Sequence, residues 1–257
     1  MRFQRTTGLS PYQLRRLIET VEQKIPDWDK PVGRPHALPL WRAVILVCWL
    51  LRHNDVQELV AELWEISQAT VSRYGTLLRP VIRDLLKQLG FGIKRLPRGE
   101  PVLVDGFLAE CWDWKAVKQL FSKKHMKPGH NVQVTSDTRG HLQAVGNPVP
   151  GARHDAYAYE ASGIKEAIRG HPGVGDKGYQ GCGLYTPYKK PVERKLTEWE
   201  KDCNRAHSCL RAPVERCIGH LESWKVLGGC YRGPLDTFPE VLETVTQLEL
   251  YRVWSPA

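Results

Sequence analysis

The sequence contains no run of eighteen uncharged apolar residues, about the length a helix needs to cross a bilayer. Its longest apolar stretch, "LWRAVILVCWLL", is interrupted by Arg42 and reads as a buried helix. The opening "MRFQRTTGLSPYQL" has neither the apolar core nor the small-residue cleavage site of a secretory signal. These absences lead to the expectation of a soluble, cytoplasmic protein with no membrane partner. Cysteine is present in the wrong pattern for a disulfide framework: seven residues, an odd number, spread from Cys48 to Cys230. There is no CxxC pair, and the nearest approach to a metal pattern, Cys203, His207, Cys209 and Cys217, suits no common zinc spacing. Coiled-coil heptads, internal repeats and low-complexity segments are also lacking, as is a convincing Ser/His/Asp or Cys/His set for nucleophilic catalysis.

What is there begins with length and charge. The 257 residues, 42% of them hydrophobic, suffice for one large domain or for a sizeable domain with a smaller one attached. The formal net charge is +9, unevenly placed: residues 1–99 hold 16 Lys/Arg against 9 Asp/Glu, and the rest hold 21 against 19. A basic N-terminal part suits a polyanion such as DNA; a merely soluble basic surface is the alternative.

The first hundred residues read as helices. In "SPYQLRRLIETVEQKI", Ser10 can cap, Pro11 takes the first helical position, and Leu14, Leu17, Ile18 and Val21 share a face. A turn-rich "PDWDKPVGRPHALP" precedes a second apolar helix over about 40–51. Then Val56, Leu59, Val60 and Leu63 predict a short helix, "EIS" a turn, and Ser67 the cap of a helix carrying Val71, Leu77 and Leu78. Two helices joined by three residues match a helix-turn-helix, whose second helix would turn Gln68, Ala69, Thr70, Ser72 and Arg73 outward to base edges and phosphates. An ordinary helical hairpin fits the same pattern.

The Gly-, Pro- and base-rich "GFGIKRLPRGEP" marks a domain boundary, giving residues 1–95 as a helical DNA-binding domain and 96–257 as a second, α/β domain. There the periodicity changes to strands: "PVLVDGFLAECW", then "HNVQVTSDTRGHLQAVGNPV" with "DTRG" as a hairpin turn. A helix over about 155–169, a short strand into "GVGDKGYQG", and two helices follow, the first capped by Thr197 and Glu200. The order strand, strand, strand, helix, strand, helix is α/β and lets polar residues converge at strand ends.

Three carboxylates occupy such places. Asp105 interrupts the apolar "VLVDG", Asp176 lies at a strand end, and Glu215 sits on the rim of a helix face marked by Leu210, Val214, Ile218 and Leu221. Singly each has a bland reading: a turn for Asp105, a loop for Asp176, an i,i+4 pair with Arg211 for Glu215. Jointly they are the kind of carboxylate cluster that hard cations need.

The strings "VLVDG", "SKKHMKPGHNVQV", "RHDAYAYEASG", "GVGDKGYQG", "TPYKKP" and "NRAHSCLRAPVERCIGHLESWKVL", in this order over about residues 40–232, resemble the DDE transposases of bacterial insertion sequences. The nearest branch is the insertion-sequence-five group, related to the Harbinger transposases. The resemblance implies a ribonuclease-H-like catalytic domain preceded by an all-α helix-turn-helix domain. It implies that Asp105, Asp176 and Glu215, with 38 residues between the last two, bind two Mg²⁺ or Mn²⁺ ions for cleavage and strand transfer. Double-stranded DNA is then the partner, contacted by Gln68, Thr70, Ser72, Arg73, Lys177, Lys189, Lys190 and Arg211, with a homo-oligomer forming on it. Lys189 and Lys190 fit a solvated surface equally well. Gly173, Gly175, Gly178 and Gly181 are expected to leave room for the DNA backbone and metals beside Asp176. His154 and Asp155 are expected to support the cluster, Asp155 beginning the following helix; an HD-type metal phosphohydrolase, all-helical, is disfavoured by the surrounding strands. Phe107, where a small polar residue is common, and Glu222, where a basic one is common, depart from the pattern. A transposase-derived DNA-binding protein without catalysis is the alternative.

Overall fold

The computed structural model describes residues 3–28 and 35–256. Residues 29–34 of the turn-rich stretch after the first long helix lie outside the described residues. The chain divides into two compact units, one of Met1–Phe91 with Leu221–Ala257 and one of Gly92–His220.

The first unit is helical: α1 Phe3–Thr7, α2 Pro11–Lys24, α3 Leu40–His53, α4 Gln57–Trp64 and α5 Gln68–Lys87 come from the N-terminal part. Ser10 caps α2 as its sequence predicts: its hydroxyl accepts from Gln13 N–H while the Gln13 side chain accepts from Ser10 N–H. Leu14, Leu17 and Val21 are buried along it. α3 is buried nearly all round, from Ala43 to Cys48, as a central helix must be. Glu65 at φ 55° makes the three-residue turn between α4 and α5, and Ser67 caps α5 by accepting from Thr70 N–H at 3.2 Å.

The expected division at 95/96 is not how the chain packs, because residues 221–257 close the core of this first unit. They carry α9 Lys225–Gly228 and α10 Phe238–Trp254. α10 buries Phe238, Val241, Leu242, Val245 and Leu248, too wide an apolar surface for one neighbour, and is tied to α5 by Arg79–Glu240 at 3.2 Å. Tyr251 donates to the Gln13 carbonyl at 3.0 Å. Trp224, fully buried, lies so close to Gly8 that a Cβ there would come within 2.7 Å of its ring, at a φ of +79° that already favours glycine.

The second unit is α/β. Its strands are β1 Val102–Glu110, β2 Phe121–Ser122, β3 Lys127–Ser136, β4 Leu142–Val145, β5 Val149–Pro150 and β6 Gly173–Val174. β1 and β3 pair antiparallel, β4 adds antiparallel to β3, and β6 adds parallel to β1. The predicted hairpin turn is present: Asp137 Oδ1 accepts from Arg139 N–H and His141 N–H, and Gly140 takes φ +89°. The helix expected over 155–169 is two, α6 Asp155–Ala161 and α7 Ile164–Ala167, because Gly163 enters the left-handed region between them. The two helices expected around Pro213 are one, α8 Glu198–Glu222, with the proline inside. Thr197 and Glu200 exchange the predicted capping bonds at its start.

Alternation along β1 sorts the two faces of the sheet. Val102 and Val104 pack with Tyr159, Ile164, Ile168 and Tyr179, the α6–α7 side. Leu103 packs with Val174 and Val214, the α8 side. The expected buried stripe of α8 holds for Val214, Ile218 and Leu221 but not Leu210, which is exposed. Likewise Val60 is buried on α4, whereas Val56, Leu59 and Leu63 are exposed, as is Leu77 on α5.

Candidate active site

Asp105 follows Leu103 and Val104 in the middle of the sheet, so strand alternation directs it to the face that α8 covers. There Arg211 donates to Asp105 Oδ2 at 2.7 Å, with both side chains largely buried, while Asp105 Oδ1 accepts from Gly106 N–H at 2.8 Å. Burial pushes the Asp105 carboxyl above the ordinary range; the Arg211 charge opposes this, and the nearby Asp176 and Asp155 charges add to it.

Asp176 leaves the end of β6 and caps a single 3₁₀ turn, its Oδ1 accepting from Gly178 N–H at 2.7 Å. Asp155 begins α6, as expected, and His154 caps that helix by accepting from Tyr157 N–H at 3.2 Å. Asp155 Oδ2 accepts from Lys124 at 3.0 Å and Oδ1 from Asn131 at 3.0 Å. A Cβ on Gly178 would stand 3.0 Å from Asp176 Oδ1 and 3.3 Å from Asp155 Oδ2, so the two carboxylates face each other across bare backbone. Lys124 is raised in pKa first by its bond to Asp155, and the charges of Asp155, Asp176 and Asp105 all act on it. A cavity of about 400 Å³ opens beside Asp155, with Phe107 and Phe121 among its apolar walls and Lys123, Lys124 and Arg153 among its cations.

Glu215 lies on α8 four residues after Arg211, about 6 Å along the same side of the helix, and is exposed. Among the described residues no three His, Cys, Asp or Glu side chains stand together as a metal-holding group, whether Glu215 or Asp155 is taken with Asp105 and Asp176. Lys177, Lys189 and Lys190 are exposed. The glycines around Asp176 serve two ends. A Cβ on Gly173 would come within 2.3 Å of Leu184, and one on Gly175 within 2.9 Å of Tyr179, so these two admit the protein's own core rather than DNA. Gly181 takes φ +85° in a turn, and Gly178 alone opens onto the carboxylates.

In the helical unit, Gln68 and Arg73 are exposed and Ser72 half-buried. Thr70, expected to face outward, is instead buried at 8% exposure, its hydroxyl bonded to Ser67 at 2.9 Å, because the cap of α5 turns that position inward. Gln68 and Ser72 line, with Thr76 and Arg79, a groove of about 520 Å³ whose other wall includes Tyr231 and Arg232.

Residues 104–249 match the DDE superfamily endonuclease family over more than half of the chain. The chain belongs to that family. The matched span begins one residue before Asp105 and contains Asp155, Asp176 and Glu215. The endonuclease chain is 29% identical over 225 residues to a protein of Streptomyces albus G named as a transposase for insertion sequence element IS112, covering 87% of this chain and 84% of that protein. It is 25% identical over 244 residues to a protein of Microchaete diplosiphon named as a transposase for insertion sequence element IS702, covering 90% and 87%. No solved structure matches it. Among the described residues, no helix is long and apolar enough to cross a membrane.

Carboxylate oxygens are the donors a hard divalent cation takes, and Asp155 and Asp176 present theirs on either side of Gly178. Arg211 on Asp105 and Lys124 on Asp155 stand in as the compensating positive charges. Sequence reasoning missed Lys124, Asn131, Gln133 and Tyr179; the alternation of polar and apolar residues in "HNVQV" is the only signal for Asn131 and Gln133, and Lys124 and Tyr179 carry none beyond their places in "SKKHMKP" and "GVGDKGYQG".

Proposed function

We propose that this DDE endonuclease is a transposase of the insertion-sequence-five group, which cuts DNA at the ends of its element and joins the freed 3′-hydroxyl to a target. The observation that carries the reading is the match to the endonuclease family over a span that holds Asp105 on β1 and the Asp155 and Asp176 carboxylates about Gly178. Asp105, Asp176 and Glu215 would hold two Mg²⁺ or Mn²⁺ ions, with His154 and Asp155 in support. The chemistry supplied by ions held there would be activation of the attacking oxygen and stabilisation of the departing one at phosphorus. The chain's own tasks are to hold carboxylates at fixed strand and helix ends, to release Arg211 from Asp105, and to meet phosphates with Arg211, Lys177, Lys189 and Lys190. Three antiparallel strands with a fourth parallel to the first support a ribonuclease-H-like assignment of the second unit. In the helical unit, α4, a three-residue turn and α5 support a helix-turn-helix that reads element-end DNA in the bacterial nucleoid.

The test is cleavage of plasmid-borne element ends by purified protein with Mg²⁺, Mn²⁺ or EDTA. Cleavage and joining should require the metal, and Asp105→Asn, Asp176→Asn and Glu215→Gln should abolish both while retaining DNA binding. Two ends need two catalytic sites, so the active complex should sediment with at least two chains. Wild-type cleavage by Asp176→Asn would overturn the site assignment, and no cleavage by the unaltered chain would leave only a DNA-binding derivative of a transposase.

A further inference from the structure

A chain of buried polar side chains runs under the carboxylates. The Tyr179 hydroxyl, fully buried three residues after Asp176, donates to Gln133 Oε1 at 2.7 Å. Gln133, also fully buried, donates through Nε2 to Asn131 Oδ1 at 2.8 Å. Asn131 donates through Nδ2 to Asp155 Oδ1 at 3.0 Å and to the Arg153 carbonyl at 3.2 Å. Asn131 and Gln133 are two apart on β3 and so share a face, and Gln133 lies directly opposite Gly106 in the β1–β3 register. A Cβ on Gly106 would stand 2.5 Å from Gln133 Nε2, so the residue next to Asp105 must be bare for the amide to lie there.

The direction of every bond follows from one charge. An ionised carboxylate only accepts, so Asn131 must turn its NH₂ toward Asp155; its oxygen then accepts from Gln133, whose oxygen accepts from Tyr179. Burial, and then the charges of Asp155, Asp105 and Asp176, raise the Tyr179 pKa, keeping it a donor. Such a chain is cooperative, and each buried group left unpaired would cost its desolvation. Only Asp155 Oδ1 is engaged by it; Oδ2 faces Lys124 and Asp176.

We propose that Tyr179, Gln133 and Asn131 form a positioning relay that fixes the orientation of Asp155, reserves its Oδ2 for the cation side, and couples it to the turn after Asp176. The proposal rests on the active-site reading under Proposed function. It is tested in the full chain with Tyr179→Phe, Gln133→Met and Asn131→Ser. Mn²⁺ binding is followed by electron paramagnetic resonance, kcat and KM by cleavage of element-end DNA, and folding by thermal melting. Asn131→Ser should raise the Mn²⁺ dissociation constant by up to about 10- to 100-fold, the range for outer-shell partners at metal sites, and Gln133→Met and Tyr179→Phe, further along the relay, should raise it in the same direction by less. Each variant should lower kcat while KM for DNA stays unchanged. Tyr179→Phe is decisive, since the hydroxyl bonds none of the carboxylates, and its effect should vanish in the Gln133→Met background, where the relay is already cut. Folded variants that bind Mn²⁺ as tightly as the unaltered chain and keep its kcat would overturn the relay. If Tyr179→Phe does not fold, Asn131→Ser, at the cavity wall, decides between the same two outcomes. An unaltered chain that binds no Mn²⁺ would instead overturn the active-site reading beneath it.

Discussion

At the residue scale, the second unit solves the cost of burying charge in two ways. Asp105 and Asp155 are paired with Arg211 and Lys124, whereas at His130 on β3 burial works against the charged form. Burial lowers the His130 pKa from 6.5 to about 4. In the unfolded chain the imidazole takes up a proton below its ordinary value, while in the folded chain it stays neutral until the lower one. The unfolded state therefore binds more protons between these limits, and stability falls as pH drops from 6.5 toward 4. One such group contributes at most about 1.4 kcal/mol per pH unit. Urea denaturation at several pH values should show this slope, and His130→Gln should flatten it. An unchanged slope in the variant would assign the acid sensitivity elsewhere.

At the element scale, α5 illustrates how capping decides which side chains are available. Ser67 and Thr70 bond each other and the first turn, which takes Thr70 out of the outward set and leaves Gln68, Ser72 and Arg73. Arg73→Ala should therefore weaken binding to element-end duplex. A guanine contact would cost about 1–3 kcal/mol at one base position, and a phosphate contact would reduce the salt slope by about one. Thr70→Ala should instead lower helix stability by about 1 kcal/mol or less without altering base preference. Fluorescence titrations at several salt concentrations, paired with thermal melts, separate these effects. Altered base preference in Thr70→Ala would return that residue to the recognition surface.

At the scale of the whole molecule, the chain leaves its helical unit at Phe91 and returns to it at Leu221, so that unit is built from two separate stretches of chain. Residues 1–95 alone would lack α10, the Glu240 partner of Arg79 and the Trp224 ring that fills the space beside Gly8. Expressed alone, that fragment should be poorly helical by circular dichroism and should bind DNA weakly. Joining residues 1–91 to 221–257 through a flexible linker should restore a cooperative thermal transition. A stable, cooperatively melting 1–95 fragment would show that α10 is dispensable.

The sequence by itself determined what depends on neighbours along the chain. The capping boxes at Ser10 and Thr197, the three-residue turn before α5, the "DTRG" hairpin, the strand around Asp105 and the start of α6 at Asp155 all follow from side-chain chemistry within a few positions. Tertiary structure alone decided what depends on distant partners. That Asp105 meets Arg211, that Gly173 and Gly175 make room for Leu184 and Tyr179, and that Gln133 lies on Gly106 are consequences of strand register and helix cover. The return of residues 221–257 to the helical unit has the same origin. An apolar stripe specifies that it must be buried, but not against which surface, because the hydrophobic effect has no direction and contact with any complementary face satisfies it.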